Sequence, residues 1–311
     1  MSFKKENQLY KEAVKIAKKF IRHEDVNDIF WGTKYVDGQP TDEISIRFNV
    51  NKKESKKKIT SSRALPKKIG DIITDVTDFR KTSEVRQVSP TMQVIPIIGG
   101  LQIQSSLLNY DISKWGTIGG IIIKNEKRYG ITNYHVSFGE ELPNVSNTTL
   151  IHQPSISNFG QAVGTITTIF NPNLDYSLFE LDSKLPHDQY QSINGISGII
   201  DGYINPWGGL QVFKYGATTG KTYGIVDGRS IIHKHLITIR NDPQFNRGNR
   251  ISEPGDSGSL WVTCKSSSPQ ILKAVALHCA GDENHNIAFA TLYSSIFASI
   301  NIFFNSINNN S

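Results

Sequence analysis

The stretch of this chain best suited to chemistry is Glu253-Pro254-Gly255-Asp256-Ser257-Gly258-Ser259-Leu260, a serine set between glycines and running into an apolar strand. Glycine accepts backbone conformations that let neighbouring N–H groups converge on one point, as stabilisation of a developing oxyanion requires. The hydroxyl of Ser257 could then serve as a nucleophile; the plainer reading is a Gly-rich turn without chemistry. A serine hydroxyl needs a base to take its proton and a carboxylate to orient that base. His135 lies in Gly130-Ile131-Thr132-Asn133-Tyr134-His135-Val136, at the end of an apolar strand. Asp175 lies in Asn173-Leu174-Asp175-Tyr176-Ser177-Leu178-Phe179-Glu180-Leu181, directly before an alternating strand. Singly, the histidine reads as a hydrogen-bonded structural residue and the aspartate as a turn former. Together they form the order His, Asp, Ser, one of the known arrangements of a nucleophile, its base and the orienting acid.

From about residue 91, short apolar runs alternate with Gly, Asn, Asp and Pro, the pattern of an all-β barrel or sandwich. The runs 118–123, 128–133, 162–170, 177–181, 210–215, 236–240, 259–264 and 272–278 read as strands, and only 292–304 reads as a helix. The first 90 residues differ. They hold 3 of the 25 glycines, and residues 6–22 space Leu9, Ala13, Ile16, Ala17, Phe20 and Ile21 as one face of an amphipathic helix. Three β-rich runs follow, at 29–36, 44–50 and 72–79, the first two joined by a turn around Asp37-Gly38-Gln39-Pro40. A small α+β domain over 1–90 is therefore expected before a β domain over 91–311.

Charge divides at the same place. Of 34 basic and 28 acidic residues, 20 and 13 precede residue 91, so the net charge of +6 belongs to the N-terminal part. The run Lys52-Lys53-Glu54-Ser55-Lys56-Lys57-Lys58 could be a nucleic-acid patch, but a solvated charged face explains it as well, and nucleic acid is not expected as a partner. An acidic partner or surface for the N-terminal domain is. Lysines interrupt the first helix and no continuous apolar region exists, so no secretory signal is read and a cytoplasmic location is expected.

The phrases Thr132 to His135, Asp175 to Leu178 and Gly255 to Gly258 resemble the Thr-Ala-Ala-His, Asp-Ile-Ala-Leu and Gly-Asp-Ser-Gly words of the chymotrypsin-like serine peptidases. Gly116-Thr117-Ile118-Gly119, the histidine phrase, Lys214-Tyr215-Gly216-Ala217-Thr218-Thr219-Gly220-Lys221-Thr222-Tyr223-Gly224 and the serine phrase more closely resemble the intracellular trypsin-like proteins of the plant narrow-leaf type and their bacterial relatives. The resemblance spans about 95–300. It implies a trypsin-like double six-stranded β-barrel, the first barrel at about 91–188 and the second at about 205–290, with a C-terminal helix at about 292–304. It also implies a serine endopeptidase acting through an acyl-enzyme, with Ser257 as nucleophile, His135 as base and acid, and Asp175 orienting the imidazole. The N–H groups of Gly255 and Ser257 would form the oxyanion hole, and no cofactor or metal is called for. Substrate would be protein or peptide. A catalytically silent adaptor and a signal-triggered self-processing protease are the competing readings, and a homo-oligomer is compatible with the resemblance.

Alignment on Ser257 places Ile251 near the floor of the specificity pocket, which does not favour cleavage after Lys or Arg. His278, in Leu277-His278-Cys279-Ala280-Gly281, resembles the histidine by which glutamyl endopeptidases recognise an acidic side chain, although a packed strand histidine is the simpler account. Cys264 and Cys279 fall near opposite ends of an expected hairpin and are not expected to bond, which suits a reducing compartment. Asn144-Val145-Ser146 and Asn147-Thr148-Thr149 are formal glycosylation sequons of little weight without an export signal. Residues 216–222 resemble a phosphate loop but are one residue short between the glycines, so a barrel hairpin is expected there. His233 and His235 share one strand face without a third metal ligand. Ile97-Ile98-Gly99-Gly100 resembles the sequence exposed when such enzymes are activated by cleavage, the new amino group pairing with Asp256; a strand entering the barrel is the simpler reading. Removal of residues 1–90 is expected to alter docking more than catalysis.

Overall fold

The alternating runs form antiparallel strands that curl into two barrels in the computed structural model. It describes residues 3–21, 23, 25–36, 39–50, 53, 59, 63–70, 72–78, 93–108, 114–139, 149–186, 192–246, 250–267, 270–282, 284 and 286–308. The N-terminal segment comprises α1 (Phe3–Ala17), β1 (Val26–Val36), β2 (Gln39–Val50), β3 (Lys68–Ile69) and β4 (Ile72–Thr77). The first barrel contains β5 (Gln102–Ser105), β6 (Gly116–Thr117), β7 (Gly120–Lys124), β8 (Lys127–Thr132), β9 (Leu150–Gln153), β10 (Gln161–Asn171) and β11 (Tyr176–Leu181), with the short helix α2 (Tyr134–Phe138) after β8. Then come β12 (Ile199–Tyr203), β13 (Gln211–Gly216), β14 (Gly220–Ser230), β15 (Leu236–Asn241), α3 (Pro243–Asn246), β16 (Leu260–Ser267), β17 (Gln270–Asp282), β18 (Ile287–Leu292) and α4 (Tyr293–Asn308).

The first sheet runs β6-β5-β9-β10-β11-β8-β7. Only Ile118 and Gly119 separate its two end strands. Their N–H groups donate to Leu101 O at 2.9 Å and Ile131 O at 2.8 Å, so β6 and β7 act as one strand and close a six-stranded ring. Ile103, Ile118, Ile151, Val163 and Phe179 fill it. The second ring runs β13-β16-β17-β18-β15-β14 and closes by β13 pairing with β14. Val212, Val226, Ile239, Trp261 and Val275 form its core. The helix α4 spans both barrels, burying Ile296, Ile300 and Phe304 against Tyr129, Ile131 and Leu178 of the first and Leu277 of the second. This mainly β, two-barrel arrangement with a C-terminal helix is the trypsin-like fold.

The N-terminal strands continue the second sheet through β14 to β1, β2, β4 and β3. Phe30, Trp31 and Gly32 pair with Ser230, Arg229 and Gly228. Beneath this seam Arg47 and Asp227, both without exposed side-chain surface, meet at 2.5 Å. Arg47 also donates to Thr238 Oγ1 at 3.0 Å and Thr33 O at 3.1 Å, with its guanidinium 5.3 Å from the ring centres of Phe30 and Tyr35. The apolar face of α1 contributes Ala13 and Ala17 to a cluster that includes Ile29 and Phe48 from the N-terminal strands and Ile231 from the β14–β15 connection. The N-terminal segment is thus built onto the second barrel by a strand ladder, a shared apolar cluster and a buried ion pair.

The expected boundary at residue 90, most of the lysine run 52–58, the Asp37-Gly38 corner and both sequons up to Thr148 lie outside the described residues. No helix among the described residues is long and apolar enough to cross a membrane.

Candidate active site

Strand β8 delivers its last residue, Thr132, opposite Ser177 of β11. That register sets the residues just beyond β8 beside those just before β11. Asn133 stays extended (φ −72°, ψ 154°) as the chain enters α2, and its Nδ2 donates to Asp175 O at 2.7 Å. Tyr134, Val136 and Phe138 then turn into the core of the first barrel, leaving His135 directed outward. Asp175 ends the β10–β11 turn with φ 49°, a left-handed conformation that aspartate tolerates better than most residues. Its carboxylate accepts from the His135 backbone N–H at 3.2 Å and stands 3.0 and 2.9 Å from His135 Nδ1 through its two oxygens. The imidazole is 41% exposed and the carboxylate 26%, so the ring is held on its Nδ1 side and part of it reaches the surface. With Nδ1–H donating to the carboxylate, Nε2 is the ring's acceptor nitrogen.

Ser257 sits between Gly255 (φ 95°) and Gly258 (φ 94°), two left-handed positions that make the sharp turn before β16. The turn is pinned at both ends. Ser259 N donates to Asp256 O at 3.0 Å, Gly258 N to His278 O at 2.9 Å, and Thr117 N to Ser257 O at 2.8 Å. The last of these bonds comes from the first barrel. A Cβ built on Gly116 would lie 2.5 Å from Val136 Cγ2 and 2.9 Å from Ser257 O, so the segment carrying His135 and the segment carrying Ser257 press on the same glycine across the seam. Among the described residues neither Gly255 N nor Ser257 N meets an acceptor.

Ile251 and His278 are both buried. Ile251 is 1% exposed and belongs to the core of the second barrel with Val226 and Ile239, its own N–H donating to Asn286 Oδ1 at 2.7 Å. The closed barrel draws in an apolar side chain at that point. His278 is also 1% exposed. Its Nε2 shares a 2.7 Å hydrogen bond with Ser252 Oγ, and its ring stands edge-on to Trp261. Burial, reinforced by the nearby Lys214 charge, pushes its pKa down to about 3. It is therefore a neutral packed residue at ordinary pH. Between about 6.5 and that value the unfolded chain binds a proton that the folded chain does not, so His278 costs stability as pH falls. At about 1.4 kcal/mol per pH unit, its share of the loss by pH 4 is about 3 kcal/mol. Urea midpoints at pH 7 and pH 4 should show a smaller drop for His278→Gln than for the unmodified protein.

The other sequence features resolve simply. Residues 216–222 form the β13–β14 hairpin corner, with Gly216 paired to Gly220. His233 and His235 have ring centres 6.2 Å apart, and no cluster suited to a metal ion occurs among the described residues. Ile97 is 3% exposed, and Gly99 N donates to Ser192 O at 2.9 Å within the chain's path into the first barrel. Cys264 pairs across the hairpin with Leu272, whereas Cys279 lies beyond Leu277 toward the other end of β17. A fully buried ion pair that the motifs do not announce lies next to Ser257, Lys214 Nζ to Asp256 Oδ2 at 2.7 Å. Its signal was available: period-two alternation puts Lys214 on the same inward face of β13 as Val212.

No family model and no curated protein matches the chain. Among solved structures it is similar to a glutamic acid-specific serine protease described as using a histidine triad in substrate binding, at 18% identity over 65% of this chain and 97% of that one, with a TM-score of 0.44. Thermobifida fusca protease A matches at 18% identity over 65% of this chain and 94% of its own, with a TM-score of 0.42. A Nocardiopsis protease matches at 17% over 66% and 96%, with a TM-score of 0.43. Likenesses of this size say nothing about activity and lend no support to the plant narrow-leaf subgroup.

Proposed function

We propose that this chain is a serine endopeptidase that hydrolyses peptide bonds through an acyl-enzyme. The observation that carries this reading is the His135–Asp175 pair, its imidazole 41% exposed, across the barrel seam from a serine turn in which two N–H groups meet no acceptor among the described residues. Ser257 Oγ attacks the scissile carbonyl carbon as His135 Nε2 takes its proton, and the carbonyl π pair moves onto oxygen. The N–H groups of Gly255 and Ser257 receive that oxyanion. Collapse breaks the C–N bond, and His135 returns the proton to the leaving amine. Water then repeats the sequence on the acyl ester, freeing Ser257. Asp175 keeps the imidazole in its productive tautomer and stabilises its cation. Every electron pair and proton is accounted for by the chain, the substrate and water, so the reaction calls for no cofactor.

The separation of Cys264 on β16 from Cys279 on β17, toward opposite ends of the hairpin, supports a reducing, intracellular setting. The exposed Lys11, Lys15, Lys18 and Lys19 on and just after α1 support docking of the N-terminal segment to an acidic partner. Cleavage of an unbiased peptide library, with Ser257→Ala as control, tests the activity and reads the residue preferred before the cut. Cleavages present in the unmodified protein and absent in Ser257→Ala are expected. A cut pattern identical in both would overturn the peptidase reading and favour a silent binding protein.

A further inference from the structure

The reaction above uses neither Lys214 nor Asp256, yet both are fully buried directly beside the nucleophile. Asp256 Oδ2 accepts from Lys214 Nζ at 2.7 Å, Thr219 Oγ1 at 2.6 Å and Glu253 N at 3.2 Å. Its Oδ1 accepts from the N–H groups of Thr218 and Thr219, each at 3.0 Å. A Cβ on Gly216 would fall 2.1 Å from that same oxygen, so the carboxylate lies directly on the hairpin backbone. The corner that resembles a phosphate loop therefore wraps an anion that the chain itself supplies. Burial alone would raise the Asp256 carboxyl, but the Lys214 charge and the hydrogen bonds outweigh it and hold it below the usual carboxylate range.

The same corner grips the backbone of the serine turn. Thr218 Oγ1 donates to Pro254 O at 2.5 Å. Ala217 N donates to Thr117 Oγ1 at 3.0 Å, and that hydroxyl donates to Gly255 O at 2.7 Å. In a trans peptide the C=O and N–H point in opposite directions. Fastening Pro254 O to Thr218 thus turns the Gly255 N–H away from the hairpin, to the side where no acceptor among the described residues meets it. Rotation of that one peptide plane would remove half of the proposed oxyanion hole. With five donors already on its carboxylate, Asp256 has no need of a new amino group released by cleavage near Ile97.

We infer that the β13–β14 corner is the positioning device of the oxyanion hole, with Lys214 and Thr218 as its positioning residues, and that it makes the unbroken chain competent without cleavage. This rests on the peptidase reading and specifies how its site is held ready. The test is steady-state hydrolysis of a small activated p-nitrophenyl ester by the full chain, with intact mass checked before and after the assay. Thr218→Val is nearly isosteric and removes only the hydroxyl. A kcat about 10²-fold lower, with KM and urea midpoint essentially unchanged, is expected, and Thr218→Ser should restore most of it. Lys214→Met strands a buried carboxylate and can unfold the chain, so the pair is tested as Lys214→Met/Asp256→Asn, which strands no charge; a folded protein with a similarly reduced kcat is expected. Unmodified kcat in Thr218→Val, an equal loss in Thr218→Ser, or turnover only after the chain is cut near Ile97 would overturn the inference while leaving the peptidase reading intact. Absence of Ser257-dependent turnover in every form, cut or uncut, would instead remove the peptidase reading itself.

Discussion

Asp175→Asn is expected to lower kcat for peptide cleavage by about 10⁴, the size of effect seen when the acid behind a catalytic histidine is neutralised elsewhere. Geometry supplies the reason. Both Asp175 oxygens lie within 3.0 Å of His135 Nδ1, so the carboxylate accepts a hydrogen bond from Nδ1–H and the tautomer it selects carries its lone pair on Nε2. An asparagine of the same shape can present its NH₂ to Nδ1, which moves the ring proton to Nε2 and removes the base from the serine side. Folding should be little affected, because the carboxylate is partly exposed and the Asn133 bond runs to its backbone oxygen. A loss below about tenfold, with the variant folded, would show that the carboxylate does not set the tautomer and that the pair is structural.

Arg47→Met is expected to cost about 3–5 kcal/mol of stability, read as a lower urea midpoint, because it leaves Asp227 charged and buried without its cation. Neither side chain has exposed surface, and the aspartate lies on β14, a strand that belongs to both the second barrel and the N-terminal seam. Arg47→Met/Asp227→Leu should recover most of the loss, since removing both charges removes the desolvation penalty. Equal midpoints for Arg47→Met and the unmodified protein would mean that water reaches Asp227. Removal of residues 1–90 should therefore cost stability as well as docking. Truncation strands Asp227, uncovers Ile231 and opens the β14 edge, so loss of the second barrel is expected before any change in docking can be read.

Much of the site was legible in the sequence because its local constraints are strong. Gly255 and Gly258 announce the turn, and the ends of β8 and the start of β11 place His135 and Asp175 where short strands break. Polar residues buried inside the barrels were harder to read. Strand β5 is Gln-Ile-Gln-Ser and breaks the expected pattern, yet all four residues are buried. Gln102 and Gln104 accept from the N–H groups of Ser155 and Ile156, closing a loop where apolar side chains would have left backbone donors unmet. Arg47 and Lys214 were hidden for a related reason: a cation in a short strand reads as surface until its partner, 180 residues away for Arg47 and 42 for Lys214, is known.

The central claim is that Ser257 is a nucleophile activated by His135. Its most direct measurement is reaction of the full chain with a fluorophosphonate, followed by digestion and mass mapping of the adduct. One adduct per chain on Ser257, absent from Ser257→Ala and formed far more slowly by His135→Ala, is the result expected. A folded, unmodified chain that gains no adduct, or gains it at another residue, would contradict the claim.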